Sequence, residues 1–257
     1  MTPQRSSGAD GRARRRGPDE IDSVAIVIPA RNEEQLIARC LDSVEQAIAF
    51  TRDRLGDTGP SIVTIVAVDS SDDDTEAIAR SFPGVSVLTV DARSVGAARR
   101  AGVALALDAL DLFARGFASR VWIANTDADS VVPATWLLHQ LEFAAEGADV
   151  VLGTVRPDFA DLSTRQVDAW VRRHPPGVAH GNIHGANLGF RADFYARAGG
   201  FAPLSEHEDV DLVARLEALD ARTVATASAE VLTSGRQAGR TPGGFAGYLR
   251  TQLVPPA

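Results

Sequence analysis

The chain has 257 residues, of which 45% are apolar and 23% are charged, and its formal net charge at pH 7 is -8. These values are those of an ordinary globular protein, so they exclude a disordered chain and a fibrous repeat. The length allows one large domain or two small ones, and we favour one. The negative charge argues against nucleic acid as the main partner.

Residues 1–20 carry a basic cluster, Arg12 to Arg16, which predicts a disordered tail. Contact of this cluster with a membrane surface or with phosphate is the alternative. No apolar stretch approaches the ~20 residues that cross a bilayer. We therefore expect no transmembrane segment, and peripheral membrane contact stays open. The single cysteine, Cys40, falls on the apolar face of a predicted helix and cannot form an internal disulfide, which fits a cytoplasmic location.

Apolar runs and helical periodicity alternate through the first half of the chain. Val24 to Ile28 and Ile62 to Val68 are continuous apolar runs, which indicate strands covered on both faces. The alternation continues to a strand at Val121 to Ala124, as expected of right-handed βαβ units. Further predicted elements are helices at 36–48, 73–81 and 95–113, a strand at 85–90, and a connection at 51–60.

Regular alternation is lost in the second half. Helices are predicted at 134–145 and 164–173, a strand at 149–153, and a Gly- and His-rich stretch at 175–189. The predicted fold class is α/β, with a mixed, mostly parallel central sheet flanked by helices. We divide this single domain, residues 21–233, into a nucleotide-binding half at 21–133 and an acceptor half at 134–233. Residues 234–257 are predicted to form a surface loop, a tail or a short terminal helix.

A pair of carboxylates follows the strand at Val121. Asp127 and Asp129 are separated by one residue where this apolar strand enters a loop. A turn at Ala128 would bring both carboxylates toward one cation, and oxygen ligands suit Mg²⁺ or Mn²⁺. These ions are commonly held by one or two carboxylates together with substrate phosphates, so the pair predicts a site for a metal and a diphosphate.

Two other polar clusters follow predicted strands, at residues 29–34 and 69–74. Ligands of open α/β sheets bind at the carboxyl ends of strands, so the three clusters are expected to meet in one site. Acidic first turns of helices also explain Glu33, Glu34 and the run from Asp72 to Asp74. They do not explain why Asp69 ends an otherwise apolar strand.

These motifs together resemble family 2 glycosyltransferases of the GT-A fold. The resemblance rests on the run from Val24 to Glu34, on Val68 to Ser71 with Asp74 and Thr75, on Asp127 to Asp129, and on Glu208 with Asp209. It covers about residues 23 to 220, in matching order and approximate spacing. It implies a GT-A domain, a nucleoside-diphosphate sugar as donor substrate, a hydroxyl acceptor, and a divalent metal, Mn²⁺ or Mg²⁺.

The resemblance also implies roles for individual residues. Asp209 matches the catalytic base, with Glu208 beside it in the catalytic motif, and Asp127 and Asp129 match the metal motif, with Asp129 the better candidate for direct coordination. Asp69 matches the carboxylate that hydrogen-bonds the base, and an arginine of the segment 93–102 can approach a phosphate or hold the Asp pair. The implied nucleotide-binding residues are Pro29, Arg31, Glu33, Asp69, Arg93, Arg99 and Asp127.

The chemistry of sugar transfer supports these roles from the residues themselves. A divalent cation stabilises the charge of a leaving diphosphate. A carboxylate can take the proton of the acceptor hydroxyl, which gives direct displacement with inversion. Asp209 lies at a predicted helix start, where the helix dipole favours its charged form. A solvated acidic helix terminus is the alternative for residues 206–211.

Several other side chains have two readings. His180, His184 and His207 are metal or acceptor ligands in one reading and structural hydrogen-bonding residues in the other. Asn187 is a candidate contact for the sugar or the acceptor. Arg236 and Arg240 suit a diphosphate if their loop closes over the donor, and solvated surface arginines are the favoured alternative.

The sequence departs from the family pattern after Asp69, where the segment is one residue short and lacks glycines, so the donor base is open. No Gln-x-x-Arg-Trp motif is present, which favours single addition over processive synthesis. We expect a metal-dependent, inverting glycosyltransferase with an unknown acceptor. The alternatives are a nucleotidyltransferase, although no Gly-rich phosphate loop follows the first strand, and a non-catalytic protein that binds sugar nucleotides or acts as a scaffold.

Overall fold

The computed structural model describes residues 20–110, 118–239 and 243–254. In these residues strands and helices alternate as far as β4 and then follow a less regular order. The strands are β1 (Ser23–Ala30), β2 (Ser61–Asp69), β3 (Val85–Val90), β4 (Val121–Asn125), β5 (Ser130–Val131), β6 (Val150–Pro157), β7 (Leu188–Arg191) and β8 (Thr223–Thr233). The helices are α1 (Ile37–Leu55), α2 (Thr75–Arg80), α3 (Val95–Ala109), α4 (Trp136–Ala145), α5 (Thr164–Arg173), α6 (Ala192–Arg197), α7 (Glu208–Glu217) and α8 (Phe245–Thr251).

The strands of the described residues form one mixed sheet in the order β3-β2-β1-β4-β7-β6-β8-β5. β3, β2, β1 and β4 are parallel neighbours, and β6 is parallel to β8. β7 runs antiparallel to both β4 and β6, and β5 runs antiparallel to β8. The strand order reverses at β1, because the chain leaves β1 toward β2 and returns from β3 to β4 on its other side. Ligands of such sheets bind at this crevice.

Hydrophobic cores cover both faces of the sheet, because successive strand residues point to opposite faces. Val24, Ile26 and Ile28 of β1 pack into one core with α1 and α4. Ala25 and Val27 pack into the other, with α3 and α7. All five are fully buried, which explains why the strand is an unbroken apolar run.

A third, smaller apolar cluster joins α5 to α8. Trp170 of α5 packs with Leu249 and Leu253, which are almost completely buried. The Gln166 side-chain amide donates a hydrogen bond to the Leu249 carbonyl at 3.1 Å. Residues 245–254 are therefore attached to the domain through α5.

The predicted α/β fold with a mixed sheet flanked by helices is confirmed, and α5 has its predicted bounds. The connection predicted at 51–60 is wrong at its start, because α1 continues through exposed charged residues and ends at Leu55. Gly56 caps this helix. β8 was not predicted, because its Thr, Ala and Ser residues form no apolar run. The helix predicted to residue 113 is described only to Ala109, and the basic tail at 1–19 lies outside the described residues.

The division into two halves of one domain stays a prediction. For residues 234–257, the structure shows the short helix α8 within the described part. Within the described ranges, no helix combines the length and apolar character that a membrane span requires.

We predict that Gly96→Ala destabilises the fold. An added Cβ would lie 2.0 Å from the Ala202 carbonyl oxygen, which is backbone and cannot turn aside. Overpacking of this kind costs about 1–3 kcal/mol, so thermal unfolding should show a melting temperature lower by roughly 2–4 °C per kcal/mol. Ala104→Ser, on the exposed face of the same helix, is the control and should leave the melting temperature unchanged. Equal melting temperatures for wild type and Gly96→Ala would contradict the prediction.

Candidate active site

A cavity of about 780 Å³ lies at the carboxyl ends of β1, β2 and β4. Every residue that the sequence assigned to the catalytic, nucleotide and metal sites lines this cavity. They are Pro29, Arg31, Glu33, Asp69, Arg93, Arg99, Asp127, Asp129, Glu208 and Asp209. The structure thus brings together residues that are up to 180 positions apart in the chain, while their individual roles remain predictions.

The carboxylate pair sits on the turn that was predicted at Ala128. The Ser130 amide donates to the Asp127 carbonyl at 3.0 Å and closes this turn. Asp127 Oδ1 accepts a hydrogen bond from Arg99, and Asp129 Oδ2 lies 3.0 Å from Nη2 of Arg236. Burial, followed by the nearby charge of Asp127, raises the pKa of Asp129 to about 6. The two carboxylates are therefore close enough to repel one another, and each is paired with an arginine.

Arg99 of α3 links the metal motif to the catalytic motif. Its side chain is only 2% exposed, and it donates from Nη2 to Asp127 at 2.5 Å and from Nε to Glu208 Oε1 at 2.9 Å. Burial alone would lower the pKa of Arg99, but Asp127 and Glu208 raise it above its ordinary value. A Cβ at Gly185 would come within 2.3 Å of Nη2, so glycine is required beside the guanidinium.

Glu208 and Asp209, predicted together as the catalytic motif, have different surroundings. The Glu208 side chain is 6% exposed and is held by Arg99, an arrangement that suits a positioning residue better than a catalytic one. Asp209 Oδ2 accepts from the Gly185 amide at 2.7 Å, and Oδ1 accepts from the Val210 amide at 2.8 Å. These two hydrogen bonds fix the direction of the Asp209 carboxylate at the start of α7.

Asp69 anchors the loop that precedes α3. Its Oδ1 accepts from the amides of Ala92 and Arg93, and its Oδ2 accepts from the amide of Ser94, at 2.8–2.9 Å. Burial alone would raise the pKa of Asp69, but these bonds and one from the Ser70 hydroxyl lower it below its usual value. This structural role accounts for the carboxylate at the end of β2, and the contact with the donor base stays a prediction.

The acidic run after Asp69 holds the loop after β1. The Asn32 side chain donates to Asp72 at 2.6 Å, and the Asp72 amide donates back to it at 3.0 Å. The Glu34 amide donates to Asp73 at 3.0 Å, and the buried Thr75 hydroxyl accepts from the Glu33 amide. The polar clusters at the ends of β1 and β2 therefore fix one another's position.

Arg236 belongs to the site and is not the solvated surface residue that was favoured from the sequence. It follows β8, and its guanidinium forms two hydrogen bonds to Glu33 at 2.6 and 2.9 Å as well as the ion pair with Asp129. The pairing was not legible from the sequence because Glu33 and Arg236 are 203 positions apart. Arg240 lies outside the described residues.

Backbone strain is concentrated around the cavity. Of the five non-glycine residues with positive φ in the described chain, four follow strands of the site or precede α7. Such conformations persist where surrounding contacts enforce them, commonly at functional sites. They are Asn32 (49°), Ser70 (51°), Arg93 (51°) and His207 (60°).

Asn187 was a candidate ligand contact, and the structure gives it a structural role. Its carbonyl oxygen accepts from the Trp136 indole at 2.9 Å, and its amide donates to the carbonyls of Thr154 and Ala229. It is 3% exposed. The polar atoms of the Asn187 side chain are therefore all hydrogen-bonded inside the protein and are not directed at the cavity.

Four ring side chains of the cavity were not identified from the sequence as site residues: Trp170, His174, Phe245 and Tyr248. Trp170 lies in the last turn of α5 and His174 directly follows that helix, whereas the other two lie three residues apart on α8. A signal for α8 was present, since Phe245, Tyr248 and Leu249 have helical spacing within a segment rich in Gly and Pro.

The fold and the site define an α/β protein with a cavity at the strand-order reversal and a carboxylate pair that lines it. The glycosyl transferase family 2 model matches residues 25–196, more than half of the chain. The chain belongs to glycosyl transferase family 2, a family of glycosyltransferases. A search of curated proteins gives no significant match.

Solved structures share the GT-A fold. The crystal structure of S. aureus TarS residues 1–349 in complex with UDP-GlcNAc aligns with a TM-score of 0.59 and 15% identity, over 87% of this chain and 61% of that one. A mannosyltransferase from Pyrobaculum calidifontis, in complex with GDP-Man and Mn²⁺, aligns with a TM-score of 0.57 and 20% identity, over 86% and 59%. The present chain thus spans about three fifths of each of these two crystallised chains, and the predicted GT-A fold is confirmed.

We predict that Arg99→Met destabilises the protein by about 3–5 kcal/mol, because it leaves Glu208 buried without its partner. The free energy of unfolding in urea measures this. The double variant Arg99→Met/Glu208→Met should recover part of the loss, with a coupling energy of about 1–3 kcal/mol.

Arg100→Met is the matched control on the same helix, since Arg100 is exposed and makes only a 3.4 Å bond to the Phe201 carbonyl. Its free energy of unfolding should stay within about 0.5 kcal/mol of wild type. Additive losses in the double variant would show that the Arg99 and Glu208 side chains do not depend on one another.

Proposed function

We propose that this protein is a metal-dependent, inverting glycosyltransferase that moves a sugar from a nucleoside-diphosphate sugar to a hydroxyl acceptor. The proposal rests on one observation: the Asp127–Asp129 pair and the oriented carboxylate of Asp209 line the same cavity. Family membership supports sugar transfer over nucleotidyl transfer. The neighbouring mannosyltransferase structure contains GDP-Man and Mn²⁺, which supports the same class of donor and metal.

The carboxylate pair fits a divalent cation. Nη2 of Arg236 lies 3.0 Å from Asp129, so this carboxylate already faces a positive charge in the structure. Among the described residues, no cluster of three or more His, Cys, Asp or Glu side chains is arranged to hold a metal ion. The donor set is therefore the sparse one of Mg²⁺ or Mn²⁺ sites that are completed by substrate phosphates and water. Asp127 and Asp129 would hold the ion, which would supply Lewis-acid stabilisation of a leaving diphosphate.

Side chains of this protein would activate the acceptor and hold the site in place. Asp209 takes the proton of the acceptor hydroxyl at one carboxylate oxygen as that hydroxyl attacks the anomeric carbon. The amides of Gly185 and Val210 hold this carboxylate in place before the substrate binds. Arg99 keeps Asp127 and Glu208 in a fixed relation through two charge-assisted hydrogen bonds, so the metal site and the base keep their spacing. One displacement at the anomeric carbon gives a product of inverted configuration.

Binding of the donor should depend on Asp129. At a ligand concentration near 100 times its dissociation constant, the folded state gains roughly 2.7 kcal/mol. For a protein of this size, that corresponds to a rise in melting temperature of roughly 5–10 °C. We predict this rise with UDP or GDP in the presence of Mn²⁺ and its loss in Asp129→Ala, measured by thermal unfolding.

Asp42→Ala, at an exposed position of α1, is the control and should keep the full shift. The same panel of diphosphates, with and without Mn²⁺, identifies the base. Wild-type protein that gains no stability from any diphosphate would contradict the assignment of the donor site and favour a scaffold protein.

Transfer should depend on Asp209. We predict that Asp209→Asn lowers the rate of transfer about 10²–10⁴-fold, because the amide cannot take the proton. Binding of the nucleotide diphosphate should be unchanged. Donor turnover, followed by release of the nucleotide, and thermal shift separate the two properties, and NMR of the product anomer tests inversion.

Asp211→Asn is the matched control one half-turn along α7, where Asp211 pairs with Arg215 outside the cavity. It should retain wild-type turnover. Undiminished turnover in Asp209→Asn would remove this residue as the base, and retention of the anomeric configuration would reject single displacement.

A further inference from the structure

One wall of the cavity is made of rings. It consists of Trp170, His174, His184, Phe245 and Tyr248, which we call the ring wall. Trp170 and His174 stack with their centroids 3.8 Å apart, and Phe245 meets both Trp170 and His184 edge to face at 5.8–5.9 Å. Phe, Trp and Tyr make up only 6% of the chain, so their concentration on one wall is a specific feature of the cavity.

The ring wall begins at the proposed base. Asp209 accepts its hydrogen bond from Gly185, the residue after His184, and its charge acts on the His184 ring. From His184 the wall continues to Phe245, Trp170 and then His174. When the hydroxyl of an acceptor reaches Asp209, the remainder of the acceptor molecule therefore lies against these rings.

The ring wall is electrically neutral near pH 7. Burial is the main cause that lowers the pKa of both His174 and His184 below the ordinary value. His174 Nδ1 lies 3.1 Å from the Trp170 carbonyl, so in the neutral ring Nδ1 donates and Nε2 is left as an acceptor. Rings combined with a few such polar atoms are typical of small-molecule sites, and neutral polar atoms of this kind can bond hydroxyl groups.

The arginines of the cavity come from elements other than α5 and α8, which carry most of the ring wall. Among the described lining residues these are Arg31, Arg93, Arg99 and Arg236, which come from the ends of β1 and β8, the loop after β3, and α3. Arg99 and Arg236 are already paired with carboxylates. The ring wall itself contributes no cation for a phosphate or carboxylate of the acceptor.

We propose that the ring wall is the acceptor subsite and that it takes a neutral acceptor with a hydroxylated six-membered ring, either a pyranose or a phenolic ring. This inference rests on the proposed function and adds the acceptor class to it. A flat ring offers apolar faces to Phe245 and Tyr248 while its hydroxyl groups reach Asp209 and the histidines. The cavity volume of about 780 Å³ is within the range of sites that hold drug-sized ligands.

The test uses the full chain with Mn²⁺ and the donor that gives the thermal shift. Methyl α-D-mannopyranoside, methyl β-D-glucopyranoside, 4-nitrophenol and glycerol 3-phosphate are offered as acceptors, and products are detected by mass spectrometry. Glycosylation of a methyl glycoside or of the phenol supports the proposal and separates the two sources of the ring. Transfer only to glycerol 3-phosphate overturns it.

The variants Phe245→Ala and Tyr248→Ala test the wall itself. Each should raise the KM for the ring acceptor about fivefold to tenfold, with kcat and donor KM within twofold of wild type. Phe50→Ala, on α1 and away from the cavity, is the matched control and should change neither constant. An unchanged acceptor KM in both wall variants overturns the proposal.

Two measurements distinguish failure of the acceptor subsite from failure of the proposed function. Donor hydrolysis without acceptor and the diphosphate thermal shift report on the donor site alone, and both should survive in the wall variants. Saturation-transfer NMR detects binding of the methyl glycosides and of 4-nitrophenol even if no transfer occurs. If no ring compound binds at millimolar concentration to donor-loaded wild type, the proposal is overturned. The donor-site assignment is judged separately, by the rise in melting temperature with the diphosphate.

Discussion

The site depends on one buried cation. Arg99 is held inside the domain with 2% of its side chain exposed, and it bonds to Asp127 after β4 and to Glu208 at the start of α7. These groups come from three separate parts of the chain. Because a buried charge is costly unless it is paired, loss of either carboxylate would destabilise the fold. The same constraint therefore stabilises the domain and holds Asp127 and Glu208 beside one another in the cavity.

The donor side has a comparable internal support. Asp69 receives three amide hydrogen bonds from residues 92–94, and the clusters after β1 and β2 bind each other through Asn32 and Asp72. These loops are thus held by hydrogen bonds to one another before any substrate binds. Preorganised loops of this kind lower the entropic cost of binding a flexible ligand.

The first half of the fold was predictable, because continuous apolar runs such as Val24 to Ile28 reveal strands buried on both faces. β8 was not, since its Thr and Ala residues pair well in a sheet but leave no apolar pattern. Ten residues that line the cavity were assigned to the site from motifs after strands and from the family resemblance, and their roles stay predictions. Arg236 and the rings of α5 and α8 were missed as members of the site, because their role comes from contacts between distant segments. Asn187 was predicted to contact a ligand, because its structural partners lie up to 51 positions away and could not be recognised from the sequence.

Attachment of α8 through its own small cluster has a consequence for how such proteins diversify. The segment from 197 onward, which contains Asp209, Arg236 and the rings of α8, lies outside the part of the chain that the family model matches. Residues 245–254 pack on α5, and Phe245 also packs against the main core that contains α1 and α4. Substitutions in this appendage beyond Phe245 therefore leave the folding of the sheet largely untouched. Under the proposed function, two descendants of one ancestor can keep the same donor site and differ in their acceptors through substitutions in a single peripheral helix.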